Sequence, residues 1–244
     1  MPRSLIAAAV LVVLFTHASS AQADWVFGAF LGVAATADAS LRIEQPAVGT
    51  NVIARNVSFA GRAFESPLYY GYRMMWAGPR RHRVGVEAEL IHLKVYADGG
   101  EPVPLSGTVA GAAIDRPAPL RQIVERFSIS HGLNLLFANL VWRQPLGGRG
   151  TVDERRVVLA IRAGAGPTIP HGESTIGGRT QEQYEWGRVA GQVAAGVECR
   201  IARHAAVIAE YKLTGTRQRV SVPDGTAAAT FISHHLVAGF GGRF

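Results

Sequence analysis

The chain ends in Ser233-His-His-Leu-Val-Ala-Gly-Phe-Gly-Gly-Arg-Phe244, and this stretch decides the fold. Counting back from Phe244, alternate residues are Gly242, Phe240, Ala238 and Leu236. Between them lie Arg243, Gly241, Gly239, Val237, His235 and Ser233. Successive side chains of an extended chain point to opposite faces, so a period of two reads as a strand. One face of this strand is apolar and the other is small or polar.

The same alternation recurs upstream. Segment 25–35 sets Trp25, Phe27, Leu31 and Val33 against Gly28, Gly32 and Ala34. Segment 84–90 sets Val84, Val86 and Leu90 against Gly85, Glu87 and Glu89. Segments 157–169, 187–199 and 205–213 repeat the pattern, with Arg162, Arg188, Glu198, Glu210 and Lys212 on their polar faces. Segments 68–77 and 127–143 are less clean, the first apolar on both faces and the second broken in phase at His131. Counted together they predict eight strands and an all-β chain.

A soluble barrel would bury its apolar rows inside. Here the opposite rows hold Glu87, Glu89, Arg162, Glu198, Glu210 and Lys212, and apolar-out with polar-in is the transmembrane arrangement. The expectation is an eight-stranded antiparallel transmembrane β-barrel with long extracellular loops and short periplasmic turns. The long connections fall at 36–66, 97–125, 170–183 and 220–227, and Thr50 to Phe64 reads as partly strand-like. The short turns fall at 78–82, 145–154 and 202–204. Trp25, Tyr72, Trp76, Trp142, Trp186 and Tyr211 are candidates for the aromatic girdles at the two membrane surfaces.

Composition fits this reading. The chain has 244 residues, 28 Gly, one Cys and a formal charge of +7. With Cys199 alone, a disulfide scaffold and a thiolate zinc site are excluded. Arg3, the apolar run from Leu5 to Phe15 and Ala21-Gln-Ala23 read as a signal peptide over 1–23, leaving a barrel over 24–244 and placing it in a Gram-negative outer membrane. The positive charge is dispersed and no Gly-rich run precedes a helix, so nucleic acid and nucleotide are not expected partners. A monomer is expected. The terminal Phe244 strand has the assembly signature of outer-membrane barrels, which makes the outer-membrane assembly machinery an expected partner.

Two groups of residues invite chemistry. The inward charges Glu87, Glu89, Arg162, Glu198, Glu210 and Lys212 should pair in so narrow a lumen, as a structural plug or as a proton-handling conduit. A second group lies near the extracellular ends. His92, His131 and His171 are candidate ligands for a divalent metal, and with Glu173 form a candidate catalytic set, since imidazole and carboxylate suit Fe, Cu, Mn or Zn. The plainer alternative is a solvated rim. Lys94, Arg126, Arg179 and Arg188, with Arg217 and Arg219, are placed to meet the phosphates of lipid A in lipopolysaccharide.

Overall the chain looks like a small OmpA-like barrel. Within that class, Glu87-Ala-Glu-Leu-Ile-His-Leu-Lys-Val-Tyr96, His131-Gly-Leu-Asn-Leu-Leu-Phe-Ala-Asn139, Gly164-Ala-Gly-Pro-Thr-Ile-Pro-His171 and Glu210-Tyr-Lys212 resemble strands of the lipid A oxidase-like outer-membrane proteins. The resemblance spans about residues 84–244. It implies an oxygen- and divalent-cation-dependent oxidation of the proximal glucosamine of lipid A, and it assigns no residue roles. The alternative is a non-enzymatic structural or adhesive barrel, since fold does not choose function.

Overall fold

The computed structural model describes residues 24–78, 83–147, 150–152 and 154–243. The signal peptide expected over 1–23, and Phe244 itself, lie outside the described residues. The strands are β1 (Asp24–Gln45), β2 (Thr50–Ala60), β3 (Tyr70–Ala77), β4 (Val84–Ala97), β5 (Pro102–Val109), β6 (Ala112–Pro119) and β7 (Arg126–Pro145). They continue with β8 (Val157–Gly166), β9 (Thr168–Ile176), β10 (Arg179–Tyr184), β11 (Ala190–Ala202), β12 (Ala205–Val222) and β13 (Gly225–Arg243).

Eight of them close a ring in the order β1-β3-β4-β7-β8-β11-β12-β13, and β13 returns to β1 through a ladder that pairs Val26 with Arg243 and Val33 with Leu236. Every neighbouring pair is antiparallel. Closure leaves no unpaired edge for lipid to meet. Phe27, Leu31, Tyr72, Trp76, Val84, Leu140, Trp142, Val193, Leu236 and Phe240 are all exposed on the outer face. Glu87, Glu89, Arg162, Glu198, Glu210 and Lys212 are all buried on the inner one. An exposed apolar band around a charged interior is an outer-membrane barrel, and the chain is one. Trp25 faces Trp76 and Trp142 faces Val84 at the end that carries both termini, while Tyr72 and Tyr211 stand nearer the other end.

Above the band the connections expected to be long loops are largely strand. The stretch 36–66 is the upper half of β1 and then β2, which confirms the strand-like reading of Thr50 onward, joined by a one-turn 3-10 helix at Pro46–Val48. The stretch 97–125 holds the β5–β6 hairpin, and 170–183 lies in β9 and β10. The fourth connection, 220–227, is a two-residue turn: Val222 pairs with Gly225, and Asp224 takes a left-handed φ of 57°. These elements form a β crown. Its inside is apolar, with Leu41, Ile43, Val52, Leu105, Ile129 and Phe231 packed together. Burial of each such side chain contributes about 1.5–3 kcal/mol, which is why these segments are ordered strands and not loops.

One irregularity makes the crown compatible with the ring. In β1 the odd-numbered Phe27, Leu31 and Val33 are exposed, yet Leu41 and Ile43 are buried. The register shifts between Thr36 and Leu41 against both β13 and β2. That bulge turns the odd face from lipid to core. A comparable shift between Ile129 and Leu133 of β7 explains the broken phase at His131. The expected single strand 157–169 is divided at Pro167, whose missing N–H ends β8 and lets Thr168 begin β9 in another direction.

One seam of the crown lies between β12 and the β9–β10 hairpin. Among the described residues no ladder joins β12 to β9. Side chains bridge the gap instead: Gln218 Nε2 donates to Thr168 Oγ1 at 2.9 Å, and the Glu185 carboxylate accepts the Ser221 N–H at 3.1 Å. Gly172 lies against Val220, where a Cβ would come within 3.1 Å of the valine.

Candidate functional site

The lumen is the first site. Arg162 of β8 is 1% exposed and holds three carboxylates at once. Its Nε donates to Glu87 at 3.1 Å, its Nη2 to Glu198 at 3.1 Å, and its Nη1 to Glu210. Lys212 Nζ reaches Glu89 and Glu210, each at 2.5 Å. All six residues expected in the lumen network are therefore brought together.

The sequence reading missed four more members. Arg73 lies 3.3 Å from Glu210, and Arg143 Nη2 donates to Glu198 at 2.5 Å. Asn139 Nδ2 donates to Glu87 and Glu89, both at 3.0 Å, and Gln192 donates to Glu89. Arg73 sat in a segment whose aromatic residues hid its period, and Arg143 at the frayed end of another. The signal that locates both is their register: Arg73 pairs with Glu89, and Arg143 shares the inward parity of Asn139. With them, four cations face Glu87, Glu89, Glu198 and Glu210. Gly28 makes the room, since a Cβ there would lie 2.9 Å from Arg73 Nε. Above this layer Tyr69 and Thr214 bond the two nitrogens of His235, at 2.9 and 2.8 Å. Side chains in this way fill the middle of a narrow barrel.

The rim is the second site. His92 of β4 follows Val84, Val86 and Leu90 on the outward parity, one rung above the apolar band. It stacks on Tyr70 with ring centroids 4.7 Å apart, and its Nδ1 lies 2.9 Å from Asn134 Oδ1. Gly132 is required here: its φ is 112°, and a Cβ would come within 2.3 Å of the imidazole. His131 and His171 meet edge to face with centroids 4.7 Å apart, and Tyr184 packs on the other side of His171 at 4.3 Å. Glu173 pairs with Arg126 at 2.7 Å. Burial, then the neighbouring His131, lowers the His171 pKa from the ordinary imidazole value. Burial also lowers that of His92.

The three imidazoles expected to form a metal centre do not form one. His131 and His171 touch, His92 is engaged with Tyr70 and Asn134, and His131 Nδ1 is 3.1 Å from Ser130 Oγ. Among the described residues no group of three or more His, Cys, Asp or Glu side chains is gathered as a metal would need. The donor set does not fit a three-ligand ion. His92 Nε2 and His171 Nδ1 are buried without a hydrogen-bond partner.

The four cations expected to meet lipid A are spread out. Lys94 is 2% exposed, donates to the Glu65 carbonyl at 2.8 Å and faces no lipid. Arg126 is committed to Glu173, and Arg179 to Asp224 at the top of the crown. Arg188 is exposed on the outer wall beside Arg217 and Arg219.

No family model and no curated protein matches the chain, so the resemblance to lipid A oxidases gains no support there. The chain is similar to solved structures over most of its length. The outer membrane protein OprG from Pseudomonas aeruginosa is 12% identical, with a TM-score of 0.45 over 91% of this chain and 96% of that one. The Neisserial surface protein A is 10% identical, with a TM-score of 0.43 over 91% and 97%. Ail, the attachment invasion locus protein of Yersinia pestis, is 10% identical, with a TM-score of 0.35 over 91% and 97%.

Proposed function

We propose that this barrel is closed to solutes and non-enzymatic, and that it works through the outer wall of its crown, stabilising the membrane by holding lipopolysaccharide. The observation that carries the first half is the Arg162 network. It ties β4, β8, β11 and β12 together across the lumen, and moving a solute through would mean parting buried charges. The second half is supported by the cations that begin where the exposed apolar rows end. On the outer face of β12 the run Val207, Ala209, Tyr211, Leu213 is followed by Arg217 and Arg219.

The test combines conductance with membrane integrity. Purified barrel in planar bilayers should give no current steps. Cells from which the gene is deleted should become sensitive to deoxycholate and recover on complementation. Stepwise conductance, or deletion without effect on sensitivity, would overturn the reading.

A second reading keeps the oxidase. It is favoured by His92 Nε2 and His171 Nδ1, two buried nitrogens without partners at headgroup height. Its test is the lipid A mass spectrum of a host whose lipid A is unmodified. A gain of one oxygen that disappears in the His92→Ala and His171→Ala variants would replace the first reading with this one.

A further inference from the structure

Across the ring from His92, the outer wall carries a concavity around Arg217 and Arg219, the two cations that follow the apolar run of β12. Arg219 of β12, Ala228 of β13 and Arg42 of β1 lie on one rung of the sheet. Arg217 stands two residues below Arg219 on the same face, and Arg188 enters from the segment between β10 and β11. The floor is Thr226 and Ala228, small outward residues that leave the guanidinium groups standing around a hollow. Glu44 fixes two of them: its carboxylate lies 2.8 Å from Arg42 Nε and accepts from Arg219 Nη2 at 3.1 Å. Four guanidinium groups against one carboxylate leave a strongly positive pocket.

Trp186 borders the adjoining hollow, which shares Arg188, Arg219 and Thr226 with the first. Its indole is 79% exposed, yet its backbone is pinned on both sides. The Glu185 N–H donates to the Pro170 carbonyl at 3.1 Å, and the Gly187 N–H to that of Thr168 at 2.9 Å. Thr168 Oγ1 also donates to the Arg188 carbonyl, at 2.8 Å. A flat apolar face is thus held in place and left bare beside a cluster of anion donors. A girdle tryptophan alone would need no converging arginines, and a bare phosphate site would need no indole.

Height identifies the occupant. Ala190 pairs with Thr216, which puts Val189, the uppermost exposed valine of its row, level with Arg217. The pocket therefore begins where the lipid-facing surface stops. A ligand seated there has its acyl chains beside Val189 and Val193, its phosphate among the guanidinium groups and a sugar ring against the indole. Guanidinium forks suit phosphate oxygens, and the apolar face of a sugar suits an indole.

We propose that Trp186, Arg188, Arg217, Arg219 and Arg42 form a binding site for the phosphorylated sugar headgroup of an outer-leaflet glycolipid. The proposal deepens the reading of the crown wall as a lipopolysaccharide surface and rests on it.

The test uses the whole barrel in phosphatidylcholine nanodiscs doped with lipid A, dephosphorylated lipid A or phosphatidylglycerol, followed by native mass spectrometry. One phosphorylated lipid A should stay bound. The Arg217→Ala/Arg219→Ala variant should retain about tenfold less or lower still, as befits two lost charge-assisted contacts. Trp186→Ala should also weaken retention, and Trp186→Phe should recover part of it. Equal retention of phosphatidylglycerol or of dephosphorylated lipid A would overturn the proposal, as would indifference to Trp186→Ala. Soluble dextran sulfate or glucosamine 1-phosphate binding in place of lipid A would overturn the lipid source. Heat-modifiable gel migration confirms that each variant is folded. Deoxycholate sensitivity separates the two levels: a wild-type barrel that retains no lipid A, from cells that the deletion does sensitise, sinks the site alone, and a deletion without effect on sensitivity sinks the wider reading.

Discussion

Arg162 and Glu210 meet in the middle of the lumen from strands that are not neighbours, since β11 runs between β8 and β12. The contact braces the ring across its interior. Removing the cation takes a partner from each of Glu87, Glu198 and Glu210 and leaves Arg73, Arg143 and Lys212 facing four buried carboxylates, and breaking a buried ion pair costs about 3–5 kcal/mol. Arg162→Ala should lower the urea midpoint of the barrel in micelles by that order. Glu210→Gln should cost less, because it leaves the bonding shape intact. An Arg162→Ala barrel with unchanged stability would show that the network is not needed to hold the ring.

The same variant has an electrical consequence. Without Arg162 the lumen layer carries excess negative charge and the space of a missing guanidinium. Planar bilayers containing Arg162→Ala should show a small cation-selective leak, and Glu89→Gln added to it should reduce the selectivity. A leak that prefers anions would contradict this account of the lumen.

Gly132 offers a test of the rim. Alanine there must adopt a φ of 112° and push into the His92 ring. Backbone strain of that kind costs about 1–3 kcal/mol. Gly132→Ala should therefore loosen the β4–β7 register above Leu133 while sparing the ring below. Hydrogen exchange read by mass spectrometry should rise in 91–97 and 126–133 and stay low in 84–90.

His171 makes the crown sensitive to acid. Its pKa is lowered in the fold, by burial first and by His131 second, against the attraction of Glu182 and Glu173. The unfolded chain thus takes up a proton more readily than the folded one. Stability is full above the ordinary imidazole value of 6.5 and is lost as pH falls below it toward the lowered folded value. Protection factors of the β9–β10 amides, corrected for intrinsic exchange, should fall from pH 7 to pH 5. In His171→Gln they should change less.

The membrane part was legible because lipid imposes a simple rule on every spanning strand. Phe27, Val84, Leu236 and Phe240 had to alternate with something a lumen accepts, so eight strands and six lumen charges could be read directly. The crown obeys another rule. Leu41 and Ile43 are core residues on the parity that Phe27 and Val33 give to lipid, and only the bulge after Thr36 reconciles the two. A sequence period carries no mark of a phase change at Thr36-Ala-Asp-Ala-Ser40, where every residue is small or polar. The rim was legible as a height and not as a geometry. Strand order sends His92 toward Tyr70, and His131 and His171 toward each other.

The seam between β12 and β9 has a consequence for how the molecule yields. Each joint of the ring is a backbone ladder, whereas this one rests on a few side chains, Gln218 on Thr168 and Glu185 on Ser221 among them. Under heat or denaturant the crown should split there first, like a collar opening at its clasp, while the part embedded in lipid remains whole. The outward-facing half can thus change shape, or sequence, without reopening the problem of how the chain crosses a membrane.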